Sequence, residues 1–165
     1  MVSDPEQEGG FRPLPSHYLH CFGCGRDHPT GLHLQMEGDD ESLTVRGSFT
    51  VTEHHQGAPG LAHGGVIAAA VDEGMGYLLW VARSPAVTAH LEVDYRLPVP
   101  VGSRLEMEAR VERQRGRKLW ASLVGHVDGR VAVNARALFL TVAVDHFIPH
   151  AERMGERMAD RPYNP

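Results

Sequence analysis

Residues 53–82 read EHHQGAPGLAHGGVIAAAVDEGMGYLLWVA, and this stretch decides the architecture. Its first half, through Gly65, is dense in glycine, proline and histidine and reads as a loop. Val66 to Ala82 is long enough and apolar enough to form a buried helix, which Ser84-Pro85 then ends. A helix that is apolar nearly all round belongs inside something. Between Gly64 and Ala82 the only charged side chains are Asp72 and Glu73. A carboxylate carried into such surroundings is costly unless a partner or a reaction uses it.

Strands flank the helix on both sides. Upstream, Leu32 to Met36 alternates, Gly38-Asp39-Asp40 is a turn, and Leu43 to Val51 returns as the second arm of a hairpin. Downstream, four strands are expected at Val87–Leu97, Arg104–Gln114, Lys118–Val127 and Arg130–Val142. Gly116 and the Asp128-Gly129 pair mark tight turns between the last three. The expected class is therefore α+β: a long central helix wrapped by a curved antiparallel sheet. Residues 1–16, polar and rich in Pro and Gly, read as a flexible N-terminal arm. Residues 17–144 form the domain, and residues 145–165 form a polar tail with a short helix around Ala151 to Ala159.

The chain of 165 residues suits one domain, and its 42% hydrophobic and 22% charged residues are ordinary for a globular protein. A net charge of −5 argues against a nucleic-acid partner, so any anionic ligand must meet a local basic cluster. No apolar run approaches the roughly 20 residues of a membrane span. The start, MVSDPEQEGGFRP, lacks the basic and apolar regions of a secretory signal, and a cytoplasmic location is expected.

The helical wheel separates the two acids. Gly65, Ala68, Ala69, Asp72 and Gly76 share a face of tiny side chains, open to close approach by a ligand or a backbone. Glu73 shares its face with Val66, Ala70, Tyr77 and Trp80, as a packing position would. Asp72 is the better candidate for chemistry. At the other end of the helix, His63-Gly64-Gly65 leaves amides without intrahelical acceptors at the positive end of the dipole, a plausible oxyanion hole. Gly64 and Asp72 lie eight residues apart, about 12 Å along the axis. One carbonyl must sit about 3 Å from both donor and nucleophile, so one chain's pair cannot serve it, whereas two antiparallel helices across a twofold could. If both groups are catalytic, the protein is at least a dimer.

The stretches QGAPGLAHGGVIAAAVDEGMG, VTAHLEVDYRLPVPVG, GRKLW and DGRVAVNARALFLTV together resemble the hot-dog acyl-CoA thioesterases, of the phenylacetate-pathway type and the mammalian thioesterase-superfamily type. The resemblance spans roughly residues 17–144. It implies hydrolysis of a coenzyme A thioester, with Asp72 as nucleophile or as base for water. Gly64 would supply the amide that polarises the carbonyl, His63 would shape the turn, and Thr88 would be the hydroxyl near the attacking water. Strand parity, however, sets Thr88 on the face opposite Val87 and Leu91. The resemblance further implies that Gly65, Gln56, Asp94, Arg96, Arg117 and Lys118 contact substrate or coenzyme A. Arg115, Arg117 and Lys118 around Gly116 are also the densest basic spot of this acidic chain, suited to phosphates.

Cys21-x-x-Cys24 has the spacing of half a zinc site, with His17, His20 and His28 nearby. A closed site wants four ligands and there is no second such pair, so a glycine-rich lid or packing turn is expected, with no metal. No cofactor is expected either, coenzyme A being part of the substrate. Two other functions compete: a hot-dog enoyl-thioester dehydratase or hydratase, and a non-catalytic acyl-CoA-binding module. The spacing from His63-Gly64-Gly65 to Asp72 fits the dehydratase pattern poorly, and the presence of Asp72 argues against the module.

Overall fold

The structure, a computed structural model, describes residues 10–153. Helix α1 (Gly64–Gly76) starts two residues before the expected point because His63 caps it. The His63 backbone is extended and its ring accepts the Gly65 N–H. Ile67, Ala70, Val71, Gly74 and Met75 recur at the helical period and are buried, while Ala68, Ala69, Asp72 and Gly76 are half-buried and Gly64 and Gly65 exposed. The helix is thus buried along one side only, not all round. Gly74 lets it lie tight on the sheet, since a Cβ there would meet Leu123 Cδ1 at 3.1 Å.

The expected single helix is also divided. Tyr77 separates α1 from a short helix α2 (Leu78–Val81). Tyr77 is buried, and its hydroxyl donates to the Leu34 carbonyl at 3.2 Å, which ties this point of the chain to the segment before the sheet.

The sheet is antiparallel and has seven strands: β1 (Arg12–Pro13), β2 (Gln35–Asp39), β3 (Thr44–Thr50), β4 (Ala86–Tyr95), β5 (Arg104–Arg115), β6 (Lys118–Val127) and β7 (Arg130–Thr141). Their order is β1-β2-β3-β5-β6-β7-β4, so β4 is an edge strand. The β6–β7 connection is the expected two-residue turn, with Asp128 at φ 50° and Gly129 at φ 71°. The first hairpin turns about three residues later than expected. Asp39 accepts bonds from the Glu41 N–H and the Ser42 hydroxyl, and Leu43 takes a positive φ of 51°. Those local side-chain bonds move the turn to residues 40–43 and keep Gly38 in the strand.

The described part of the expected loose arm is ordered against the domain. Arg12 and Pro13 pair with Gly38 and Glu37, Leu14 is buried in the core, and Ser16 Oγ donates to the Cys24 carbonyl. Leu14 gives this polar segment a residue to bury, and the Phe11 ring packs under the Arg46 guanidinium at 3.9 Å. Cys24, Leu32 and Leu34 are buried too, so the segment around the two cysteines is a packing turn, not a lid. At the other end, a 3-10 turn (Val144–Phe147) leads into a short helix, α3 (Ile148–Arg153), and the rest of the helix expected up to Ala159 lies outside the described residues.

Candidate active site

A bulge in β4 decides where Thr88 points. Thr88 pairs with Phe139 and His90 with Leu138, leaving Ala89 as an extra residue. Before the bulge, Ala86 and Thr88 share a face; after it, Leu91 and Val93 take over that face, opposite the buried Ala137 and Ala135. The extra residue removes the conflict that simple alternation creates and turns Thr88 toward α1. Its hydroxyl donates to Asp72 Oδ1 at 2.9 Å. Asp72 is half-buried, and burial pushes its carboxyl above the ordinary range, with the Thr88 bond opposing that shift and the neighbouring Glu73 charge adding to it. Oδ1 is occupied by the hydroxyl while the second oxygen remains for other chemistry.

The helix start is arranged differently from what three free amides would give. The Gly65 N–H is taken by His63 Nδ1 at 2.9 Å, so Gly65 has no amide to offer a substrate. The Val66 N–H goes to the His63 carbonyl. Among the described residues no acceptor takes the Gly64 N–H, which lies on an exposed residue at the positive end of the helix. The Tyr95 hydroxyl donates to the Gly64 carbonyl at 2.8 Å and so fixes the turn from the strand side. Sequence reading missed Tyr95 as a site residue. The signal was the tyrosine of VDYR, seven residues beyond Thr88, but its partner becomes evident only once α1 and β4 are seen side by side.

The remaining candidates divide between the two ends of β4. Gln56 Oε1 accepts the Gly60 N–H at 2.8 Å, which closes the loop that delivers His63. Asp94 and Arg96 stand beside Tyr95, 4.0 Å apart and well exposed. Lys118 pairs with Leu140, which in turn pairs with Val87, so the basic hairpin lies about 10 Å, two strand spacings, from the residue before Thr88. Arg117 Nε donates to the Thr141 carbonyl at 3.0 Å, aligning that side chain with the end of β7. Asp72, Thr88, Arg117 and Lys118 thus gather at one end, and His63, Gly64, Asp94 and Arg96 at the other.

Glu73 is more than a packing residue. It is a hydrogen-bond partner of His17, with Oε1 2.8 Å from Nδ1, and its Oε2 accepts from Cys21 Sγ at 3.5 Å. Burial pushes the Glu73 carboxyl up, but the His17, Cys24 and Cys21 contacts outweigh it and hold the group below the usual range. His55 is buried as well, accepting the Thr52 N–H at 3.0 Å and packing edge-on against Phe49, so it belongs to the loop scaffold. Among the described residues no helix is long and apolar enough to cross a membrane.

The family described as the thioesterase superfamily matches residues 59–136, from the loop before α1 into β7. A Pseudomonas aeruginosa protein with a provisional esterase name, PA0474, is 33% identical over 147 residues, covering 84% of this chain and 98% of that protein. The chain belongs to the thioesterase superfamily. Within it, the mouse acyl-coenzyme A thioesterase THEM5 is 32% identical over 160 residues, 79% of this chain and 62% of the relative. The crystal structure of RHA08564, a thioesterase superfamily protein, superposes with a TM-score of 0.68 at 30% identity, over 73% of this chain and 60% of that one. The helix and seven-stranded sheet are accordingly a hot-dog fold. The chain spans 39%, 62% and 40% of the length of three acyl-coenzyme A thioesterases it matches.

Proposed function

We propose that this chain hydrolyses an acyl-CoA thioester to the free acid and coenzyme A, at sites shared between two protomers of a homo-oligomer. One observation carries the reading: a half-buried carboxylate, Asp72, held by the Thr88 hydroxyl, in a chain whose helix start leaves the Gly64 amide without an acceptor among the described residues. The amide polarises the thioester carbonyl and stabilises the charge that develops on its oxygen. Asp72 either attacks the carbonyl carbon itself or takes a proton from the water that does. If Asp72 attacks, expulsion of the coenzyme A thiolate leaves an anhydride on Asp72 that water hydrolyses to the free acid and the regenerated carboxylate. If Asp72 takes the proton, hydroxide adds to the carbonyl and the tetrahedral intermediate expels the thiolate, which receives that proton. The name of THEM5, an acyl-coenzyme A thioesterase, supports the substrate class.

The two-protomer arrangement follows from distance. About 12 Å of helix separates Gly64 from Asp72, too far for one carbonyl to touch both. The half-buried small-residue side of α1 and the free edge of β4 offer the surface on which a second copy could lie antiparallel. In that arrangement Gly64 of one chain faces Asp72 of the other. The Asp94 and Arg96 end of one β4 then approaches the Arg117 and Lys118 hairpin of its partner, gathering cations for the coenzyme A phosphates. The test is thiol release from a series of acyl-CoA thioesters, acetyl to palmitoyl and aryl-acyl, run beside hydration of an enoyl thioester. Release without hydration supports the proposal; hydration without release would assign the chain to dehydratase chemistry.

A further inference from the structure

We infer that His17, Cys21, Cys24 and Glu73 form a closed zinc site that fastens the segment before β2 to the central helix. The inference does not rest on the proposed reaction. The ligand atoms of His17, Cys24 and Glu73 all lie within 4.8 Å of one another. Cys21 Sγ lies outside that close group but 3.5 Å from Glu73 Oε2, in reach as the fourth ligand. Two cysteines alone make half a site; the missing ligands come from four residues upstream and from α1, 49 residues after Cys24.

Two of the separations match the edges of a tetrahedral zinc site. Zinc bonds of about 2.3 Å to sulfur and about 2.0–2.2 Å to nitrogen or oxygen set ligand–ligand edges of roughly 3.3–3.8 Å. The Cys24 Sγ to His17 Nδ1 edge is 3.7 Å, and the Glu73 carboxylate spans the other two ligands, with Oε2 3.5 Å from Cys21 Sγ and Oε1 on the His17 side. The His17 to Glu73 edge, at 2.8 Å, is shorter because a direct hydrogen bond takes the place of the ion. Insertion of a cation requires the carboxylate to turn one oxygen to the ion and that edge to open by about half an ångström.

The backbone is shaped for thiolates, and this is independent of the side-chain spacing. The His17 N–H donates to Cys24 Sγ at 3.2 Å. Amides aimed at sulfur stabilise the deprotonated, metal-binding form. The turn is tight: a Cβ on Gly25 would stand 2.5 Å from the Cys21 amide nitrogen, and one on Gly23 would collide with the Glu73 carboxylate. Two thiols, an imidazole and a carboxylate leave no position for water, so the site is structural. It anchors the residue next to Asp72 and lies off the small-residue face on which Asp72 sits.

The test needs no assay of catalysis. The full chain, purified under reducing conditions with zinc in the growth medium, should carry about one zinc per chain by elemental mass spectrometry. Chelation followed by titration with cobalt(II) should restore one equivalent, with intense tetrahedral d–d bands and a thiolate-to-cobalt charge-transfer band. Cys21→Ser and Cys24→Ser should each weaken that band and lower metal affinity by about 100-fold or more, and Glu73→Gln should lower affinity while keeping the band. If the serine variants do not fold, the cobalt titration of the unaltered chain decides alone. A reduced, folded, unaltered chain that takes up neither zinc nor cobalt with a thiolate band would overturn the site, as would a Cys21→Ser, Cys24→Ser double variant that keeps its metal.

Discussion

Replacing Thr88 by valine tests the contact that the β4 bulge creates. Valine keeps the shape and strand preference of threonine and removes only the hydroxyl that donates to Asp72 Oδ1 at 2.9 Å. A hydrogen bond to a charged group contributes about 1.5–3 kcal/mol, and about 1.4 kcal/mol corresponds to tenfold in rate. If the bond fixes the carboxylate for reaction, kcat should fall by roughly 10- to 150-fold. Thr88→Ser keeps the hydroxyl and should stay within about threefold of the native rate, a difference well below the worth of one such bond. The assay is thiol release at saturating acyl-CoA, with circular dichroism to show that both variants keep the sheet. The reasoning fails if Thr88→Val turns over at the native rate, or if serine is as slow as valine.

Asp72→Asn should lower kcat by about a thousandfold or more, whereas Glu73→Gln should lose far less activity and instead lower the melting temperature by weakening the buried contact with His17. The reverse pattern would mean that the helical wheel selected the wrong acid. Because burial raises the folded-state pKa of Asp72 above its unfolded value, the ionised group opposes folding at neutral pH. Asp72→Asn should therefore melt at or above the native temperature near pH 7, with the difference shrinking as pH falls through the raised pKa; a clear loss of stability at neutral pH would contradict that. Arg117→Glu with Lys118→Glu should raise KM for acyl-CoA in a salt-dependent way and leave a short pantetheine thioester unaffected. Equal losses on both substrates would point to damage of the fold.

Much of this was legible in the sequence because local chemistry carried it. The Asp128-Gly129 turn and the strands around it are read from neighbouring residues, and the single-face placement of Asp72 from a period of about 3.6. What escaped depends on partners distant in the chain or on departures from strict alternation. The extra Ala89 has no marker in a stretch that alternates well enough without it, yet it alone turns Thr88 inward. Glu73 looked like packing because His17 lies 56 residues away. The polar composition of residues 10–16 concealed Leu14, and the side chain of Asp39 reset a hairpin that Gly38 had suggested should turn earlier.

The central claim is that Gly64 and Asp72 of different chains act on one carbonyl, and subunit mixing tests it directly. The structure makes Gly64→Pro a clean deletion of the amide. Gly64 is the first helical residue, and His63 at φ −66° and ψ 135° already has the extended backbone that a residue before proline needs. A Cβ there would stand 3.7 Å from the Tyr95 ring, an ordinary contact. Asp72→Asn and Gly64→Pro, each confirmed as folded and oligomeric, are unmixed and remixed so that subunits exchange. With random exchange about half the dimers are mixed, each with one site intact and one carrying both lesions. Recovery of about a quarter of native activity per site is the expected result. Verified mixed dimers that stay inactive would contradict the shared site, and with it the role given to the Gly64 amide.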